Sequence, residues 1–136
     1  VVETADALLR LAQDVWALEQ EGANLSQTWY GFETPEAGAL KRLHTVNGQA
    51  LTKLERLAQG LDSRVRSADD GDRPHLQHAY HLVQELIQSR RAVHELVGAQ
   101  LDGRRAFDED LRALGLKERA AAQQARKLCD TLKRIH

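Results

Sequence analysis

Three histidines, His75, His78 and His81, beside Tyr80, form the richest polar cluster in this chain. His78 and His81 are three apart and share a helix face, and His75 lies one turn before His78. Two imidazoles at that spacing can ligate a transition metal, but a site needs a third ligand. Neither a nearby Cys nor a His-Glu-x-x-His pattern supplies one. The alternative is a solvated, titratable helix start. Nucleophile arrangements are absent: there is no Gly-x-Ser-x-Gly, no Walker-type loop and no Rossmann glycine fingerprint. The acids Asp108, Glu109 and Asp110 are consecutive, so on a helix they point around it instead of converging. Arg90-Arg91 and Arg104-Arg105 read as solvated, or as snorkelling along a core. The expectation is a non-catalytic chain with no cofactor and no metal.

What the residues do specify is helices. Leu8, Leu11, Val15, Leu18, Gly22, Leu25, Trp29 and Phe32 form an apolar stripe at alternating spacings of three and four. Such a stripe occupies one side of a helix and must be buried against others. The first helix is expected over 4–30, with Thr4 as N-cap and a kink or break near Gly22 and Asn24. Thr34-Pro35-Glu36 is a start signal for a second helix over 35–66. Its stripe is Leu40, Leu43, Asn47, Ala50, Leu54, Leu57 and Leu61, with Asn47 as the polar exception that can fix register. A third helix is expected over 73–114, with Leu76, Ala79, Val83, Leu86, Val93, Val97, Phe107, Leu111 and Leu114 inward. Leu114-Gly115-Leu116 fits a Schellman ending. A fourth, over 116–135, turns Ala121, Ala125, Leu128, Leu132 and Ile135 inward. Short linkers make sequential helices antiparallel. The fold expected is an all-α, up-down bundle of four helices in one domain. A variant keeps three helices as the core and extends the fourth outward.

The 136 residues fit one core. No apolar run is long enough for a transmembrane helix. The start VVETADALL has no basic region or cleavage-type segment. The absence of any Met points to a processed or partial chain. A single Cys129, at helical spacing with Ala125 and Leu132, reads as a small core residue and favours a reducing, cytoplasmic location. Net charge is −1, but residues 1–36 hold seven acids and one base, and residues 111–136 hold seven bases and two acids. Either the first and last helices lie side by side and attract, or the last presents a basic face to an acidic partner.

Leu43-His44-Thr45-Val46-Asn47-Gly48-Gln49-Ala50 resembles the signature of histidine phosphotransfer domains, four-helix bundles that carry phosphate on an exposed helical His. The resemblance rests on Leu43, His44, Thr45, Gly48 and Ala50 and implies His44 as phosphoacceptor. Asn47 stands where that family has Lys. Trp29-Tyr30-Gly31, between two long helices, resembles the Trp-x-Gly turn of the small WXG100-type secreted helical hairpins, covering residues 1–68. The long third helix, His94-Glu95-Leu96-Val97 to Phe107, is similar to spectrin-type repeats, which implies a scaffold or adaptor role.

The leading expectation is a coiled-coil-like bundle that binds another protein through a helix face. Candidate contacts are the aromatic end, Trp16, Trp29, Tyr30 and Phe32, and the basic last helix, Arg126, Lys127, Lys133 and Arg134. Trp16 sits at the edge of its stripe, as either a wide core contact or an exposed anchor. A homo-oligomer would cover stripes this wide. With few aromatics, nucleic acid is not an expected partner, and neither is a membrane.

Overall fold

The computed structural model describes residues 4–27, 36–103 and 108–135, with backbone alone for 108–112. Among them the structure is helical, without strands: α1 (Ala5–Ser26), α2 (Ala37–Ser67), α3 (Arg73–Leu101) and α4 (Asp108–Leu132). Each helix packs on two others, α1 on α2, α2 on α3, α3 on α4 and α4 on α1, which closes a four-sided bundle. The fourth helix does not extend outward, because its apolar stripe is covered by the others: Ala125, Leu128 and Leu132 join the same core as Leu8, Val15, Leu57 and Val83. None of the described helices is long and apolar enough to cross a membrane.

The start of α1 is set locally. Thr4 is extended, and its Oγ1 accepts from the Ala7 backbone N–H at 3.1 Å. That satisfies one of the donors a helix leaves unpaired. Thr4→Ala is expected to cost about 1 kcal/mol, measured as a lower urea midpoint with an unchanged denaturant slope.

Two boundaries differ from the sequence-based expectation. α1 runs unbroken through Gly22 and Asn24, because Gly22 is buried against Leu43 of α2 and Glu118 of α4. The close approach of three helices requires the missing Cβ there. α3 ends at Leu101 and α4 already includes Asp108, so the boundary between them is not at Leu114-Gly115-Leu116. Gly103 adopts φ +79°, Asp102 N–H donates to Gly98 O at 3.0 Å, and Gly103 N–H donates to Gln100 O at 3.2 Å. Gly103 is therefore the left-handed glycine that ends α3. Gly115 lies inside α4, and Leu116 is 58% exposed where a Schellman contact would have buried it. The start signal Thr34-Pro35 lies outside the described residues; α2 is capped by Glu36, whose side chain makes no capping bond.

Buried apolar side chains form two clusters. The larger takes in Leu8, Val15, Leu54, Leu57, Leu76 and Leu128 with their neighbours. The smaller is Leu40, Leu43, Val93, Val97 and Leu114. Between them on every helix sits one buried polar residue: Glu19 on α1, Asn47 on α2, Arg90 on α3 and Glu118 on α4. Each takes a regular place in its helix's inward series. On α1 that series is Leu8, Ala12, Val15, Glu19 and Gly22; on α3 it is Ala79, Val83, Leu86, Arg90, Val93 and Val97.

Candidate functional site

The polar layer is held by Arg90. Its guanidinium is fully buried, contrary to the expectation of a solvated or snorkelling side chain. Spacing decides this: Arg90 falls midway between Leu86 and Val93 on the inward face, and Arg91, one position on, is exposed and lies 3.4 Å from Glu55. Arg90 Nη1 donates to Glu118 Oε1 in a short contact and lies 3.0 Å from Glu19 Oε2. Nη2 donates to Ser89 Oγ at 3.0 Å. Asn47 Nδ2 donates to the Arg90 carbonyl at 2.7 Å, and Asn47 Oδ1 accepts from Nη1 at 3.4 Å. Asn47 is therefore committed to the layer. Glu118 has a hydrogen-bonded partner, whereas neither Glu19 oxygen accepts a hydrogen bond from a described residue. Burial pushes Glu19 up to about 7 against the pull of Arg90, and the Glu118 charge pushes the same way. Glu118 is raised as well, by burial against the opposing charge and hydrogen bond of Arg90.

One turn beyond the layer, His44 of α2 stacks on His94 of α3, with ring centroids 4.0 Å apart and planes 19° from parallel. Both residues are half-buried. The helices carry the same spacing, His44 to Gly48 and His94 to Gly98, and each glycine faces the other helix's imidazole. A Cβ added at either glycine would meet the facing ring at ordinary van der Waals distance, 3.4 Å at Gly48 and 3.5 Å at Gly98. Burial, and then the His44 charge, hold His94 below the usual histidine range. His44 is thus part of a helix–helix contact, and Asn47 supplies no cation beside it.

Among the described residues, His75, His78 and His81 do not converge on a metal site. His81 Nε2 lies 2.7 Å from Glu85 Oε1 on its own helix, and His78 is exposed. Among the described residues no group of three or more His, Cys, Asp or Glu side chains is placed to hold a metal ion. Cys129 is buried, and burial pushes its thiol up to about 11, which leaves it unreactive.

A surface groove of 360 Å³ runs between α1 and α4. Trp16 packs its inner side on the main core and lines the groove beside Gln20 and Asn24 of α1. Arg119, Gln123 and Arg126 line it from α4. No carboxylate is among its lining residues, although α1 belongs to the acidic end of the chain. Trp16 is both core contact and surface. Arg126 is exposed in the groove, while Lys127, Lys133 and Arg134 are exposed but do not line it. Trp29, Tyr30 and Phe32, the remainder of the expected aromatic end, lie outside the described residues, as do Arg104, Arg105 and the side chains of Asp108, Glu109 and Asp110.

The sequence contains a signal for the layer that hydrophobicity alone misses. A strict three-four count from Val83 through Leu86 reaches Arg90, and from Ala121 back to Leu114 it passes through Glu118. Protein-family models, curated proteins and solved structures were each compared with this chain, and none matches.

Proposed function

We propose that this chain is a non-catalytic, antiparallel up-down helical bundle that binds an acidic segment of another protein along the α1/α4 groove. Residue pairing supports the up-down arrangement. Along the α1/α2 seam Glu21 meets Arg42 and Asp14 meets Lys53, so one number falls as the other rises. Along α3 and α4, Arg90 meets Glu118 while Glu85 accepts from Gln124.

The observation that carries the binding reading is the groove's lining. Two arginines, side-chain amides and an indole surround a concave site without a carboxylate. Guanidinium groups favour carboxylate partners through paired hydrogen bonds. The amides can bond a bound backbone, and the indole offers an apolar anchor point. Electrostatics would then set the partner's sign more than its affinity. A reducing, cytoplasmic setting fits the buried thiol.

Selection of a displayed random-peptide library on the purified protein tests this reading. Enriched peptides should combine Asp or Glu with an apolar residue, and their affinity should fall as salt rises. Arg126→Glu should weaken them about tenfold or more, corresponding to roughly 1.4 kcal/mol, and Trp16→Ala should weaken them as well. Reversing Lys127, Lys133 and Arg134 together should have little effect, because those side chains do not line the groove. Enrichment that is indifferent to peptide charge, or binding that survives both Arg126→Glu and Trp16→Ala, would contradict it.

A further inference from the structure

The layer that joins the four helices is one positive charge short. Glu19 and Glu118 bring two carboxylates and Arg90 brings one guanidinium, and each of these residues is at most 1% exposed. A guanidinium keeps its proton in proteins, so the layer is electroneutral only when one carboxyl group is protonated. Arg119, next to Glu118 on α4, is exposed and lines the α1/α4 groove. α2 contributes the uncharged Asn47, with His44 about one turn before it. α3 contributes Arg90, with His94 about one turn after it, and those two rings stack on each other. α4 contributes Glu118 and the Lys117 carbonyl, which accepts from Arg90 Nη2 at 3.4 Å, while the Lys117 side chain is exposed. On α1, Glu21 pairs with Arg42 of α2 at 2.7 Å.

The two acids are not equivalent. Glu118 receives a hydrogen bond from Arg90, whereas both Glu19 oxygens are buried without one. A buried carboxylate lacking donors is the form that burial penalises most. Glu19 is also the group on α1 that faces Glu118 on α4, so any charge left there acts across the seam between those helices.

We propose that Glu19 takes up a proton from solvent as the bundle folds, and that release of this proton to solvent in mildly alkaline solution weakens the α1–α4 seam. The proton sits on a Glu19 carboxyl oxygen, and no other bond is made or broken. The raised value of Glu19, about 7 against 4.5 for the free group, agrees with this geometry. Because the folded value is the higher one, the stabilisation is complete below pH 4.5 and is lost as pH rises through about 7. His94, held below its usual value, acts in the opposite sense, and its contribution is lost as pH falls, so the test must separate the two.

Urea unfolding of wild type and Glu19→Gln across this pH range does so, since His94 is common to both. The ratio of their folding constants, wild type over variant, should fall by about tenfold per pH unit between the free and folded values and then level off. The glutamine variant should be the more stable of the two above pH 7. In wild type, amides of α1 and α4 beside the layer should exchange faster above pH 7 than below it, after correction for intrinsic rates, relative to the α2–α3 seam. A pH-independent ratio, or exchange that changes equally in both seams, would overturn the proposal. Where the variant does not fold, the carboxyl carbon shift of Glu19 in labelled wild type serves instead. A midpoint near 7 supports the proposal, and one in the ordinary carboxylate range overturns it.

Discussion

Arg90→Met should destabilise the bundle by about 3–5 kcal/mol, the cost found when one partner of a buried charge pair is removed and the other is left without compensation. Here two carboxylates are stranded. Glu118 loses the Nη1 donor, Glu19 loses the cation beside it, and Asn47 Oδ1 loses a donor as well. The loss is a large part of the stability expected for a domain of this size. It should be greater at pH 8 than at pH 5.5, because protonation relieves both stranded acids. Equilibrium urea unfolding at the two pH values reads this directly. The companion variant is Arg90→Met combined with Glu19→Leu and Glu118→Leu. Apolar replacement of a whole buried ionic group is often neutral or stabilising, so this triple variant should recover most or all of the lost stability. If it recovers stability but loses a single well-ordered state, seen as poor amide dispersion in NMR spectra, the layer's role is to fix the register in which four similar helices meet.

Gly22→Val should cost about 3 kcal/mol, the upper part of the usual range for overpacking. Two effects oppose each other at this position. Any residue other than glycine or proline gains helix propensity, worth up to about 1 kcal/mol for alanine and less for valine. Against that, an added Cβ would overlap Glu118 Oε2 and stand 3.3 Å from Leu43 Cδ1. A carboxylate at the end of a flexible chain could ordinarily move aside. Glu118 cannot do so cheaply, because it is buried and bonded to Arg90. The clash therefore spreads to the whole layer, and packing should outweigh propensity. Gly38 gives the control: nothing lies near its Cβ position, so Gly38→Ala should be neutral or slightly stabilising. Thermal unfolding of the two variants side by side checks the comparison.

Much of the helical architecture is legible in the sequence because burial of apolar stripes dominates it. Thr4 as a cap, the series from Leu40 to Leu61 and the inward placement of Cys129 all follow from local spacing. The α3–α4 boundary is not legible in the same way. Phe107, Leu111 and Leu114 continue an apolar pattern, and nothing in hydrophobicity distinguishes the turn at Gly103 from the glycine at 115. The backbone does, through the positive φ that Gly103 alone adopts among the described residues. The buried layer is half legible. Asn47 stands out as a polar residue inside a stripe, yet Glu19, Arg90 and Glu118 escape a reading by hydrophobicity because charged residues are seldom fully buried. On α1 apolar character favours Leu18 and Leu25, whereas helix geometry buries Glu19 and Ser26. Only the packing of four helices at one level shows why that is tolerated: Arg90 on α3 meets Glu19 of α1 and Glu118 of α4. The groove depends on a juxtaposition of Trp16 with Arg119 and Arg126 that no local pattern contains.

Arg90 sits at the middle of the bundle and ties α1, α2 and α4 to α3. Nitrogen-15 NMR of its guanidinium tests this most directly. Separately resolved, slowly exchanging Nη protons are expected, with nuclear Overhauser contacts to Glu19, Asn47 and Glu118. A single, rapidly exchanging guanidinium signal without contacts to those helices would place Arg90 in solvent and contradict the account.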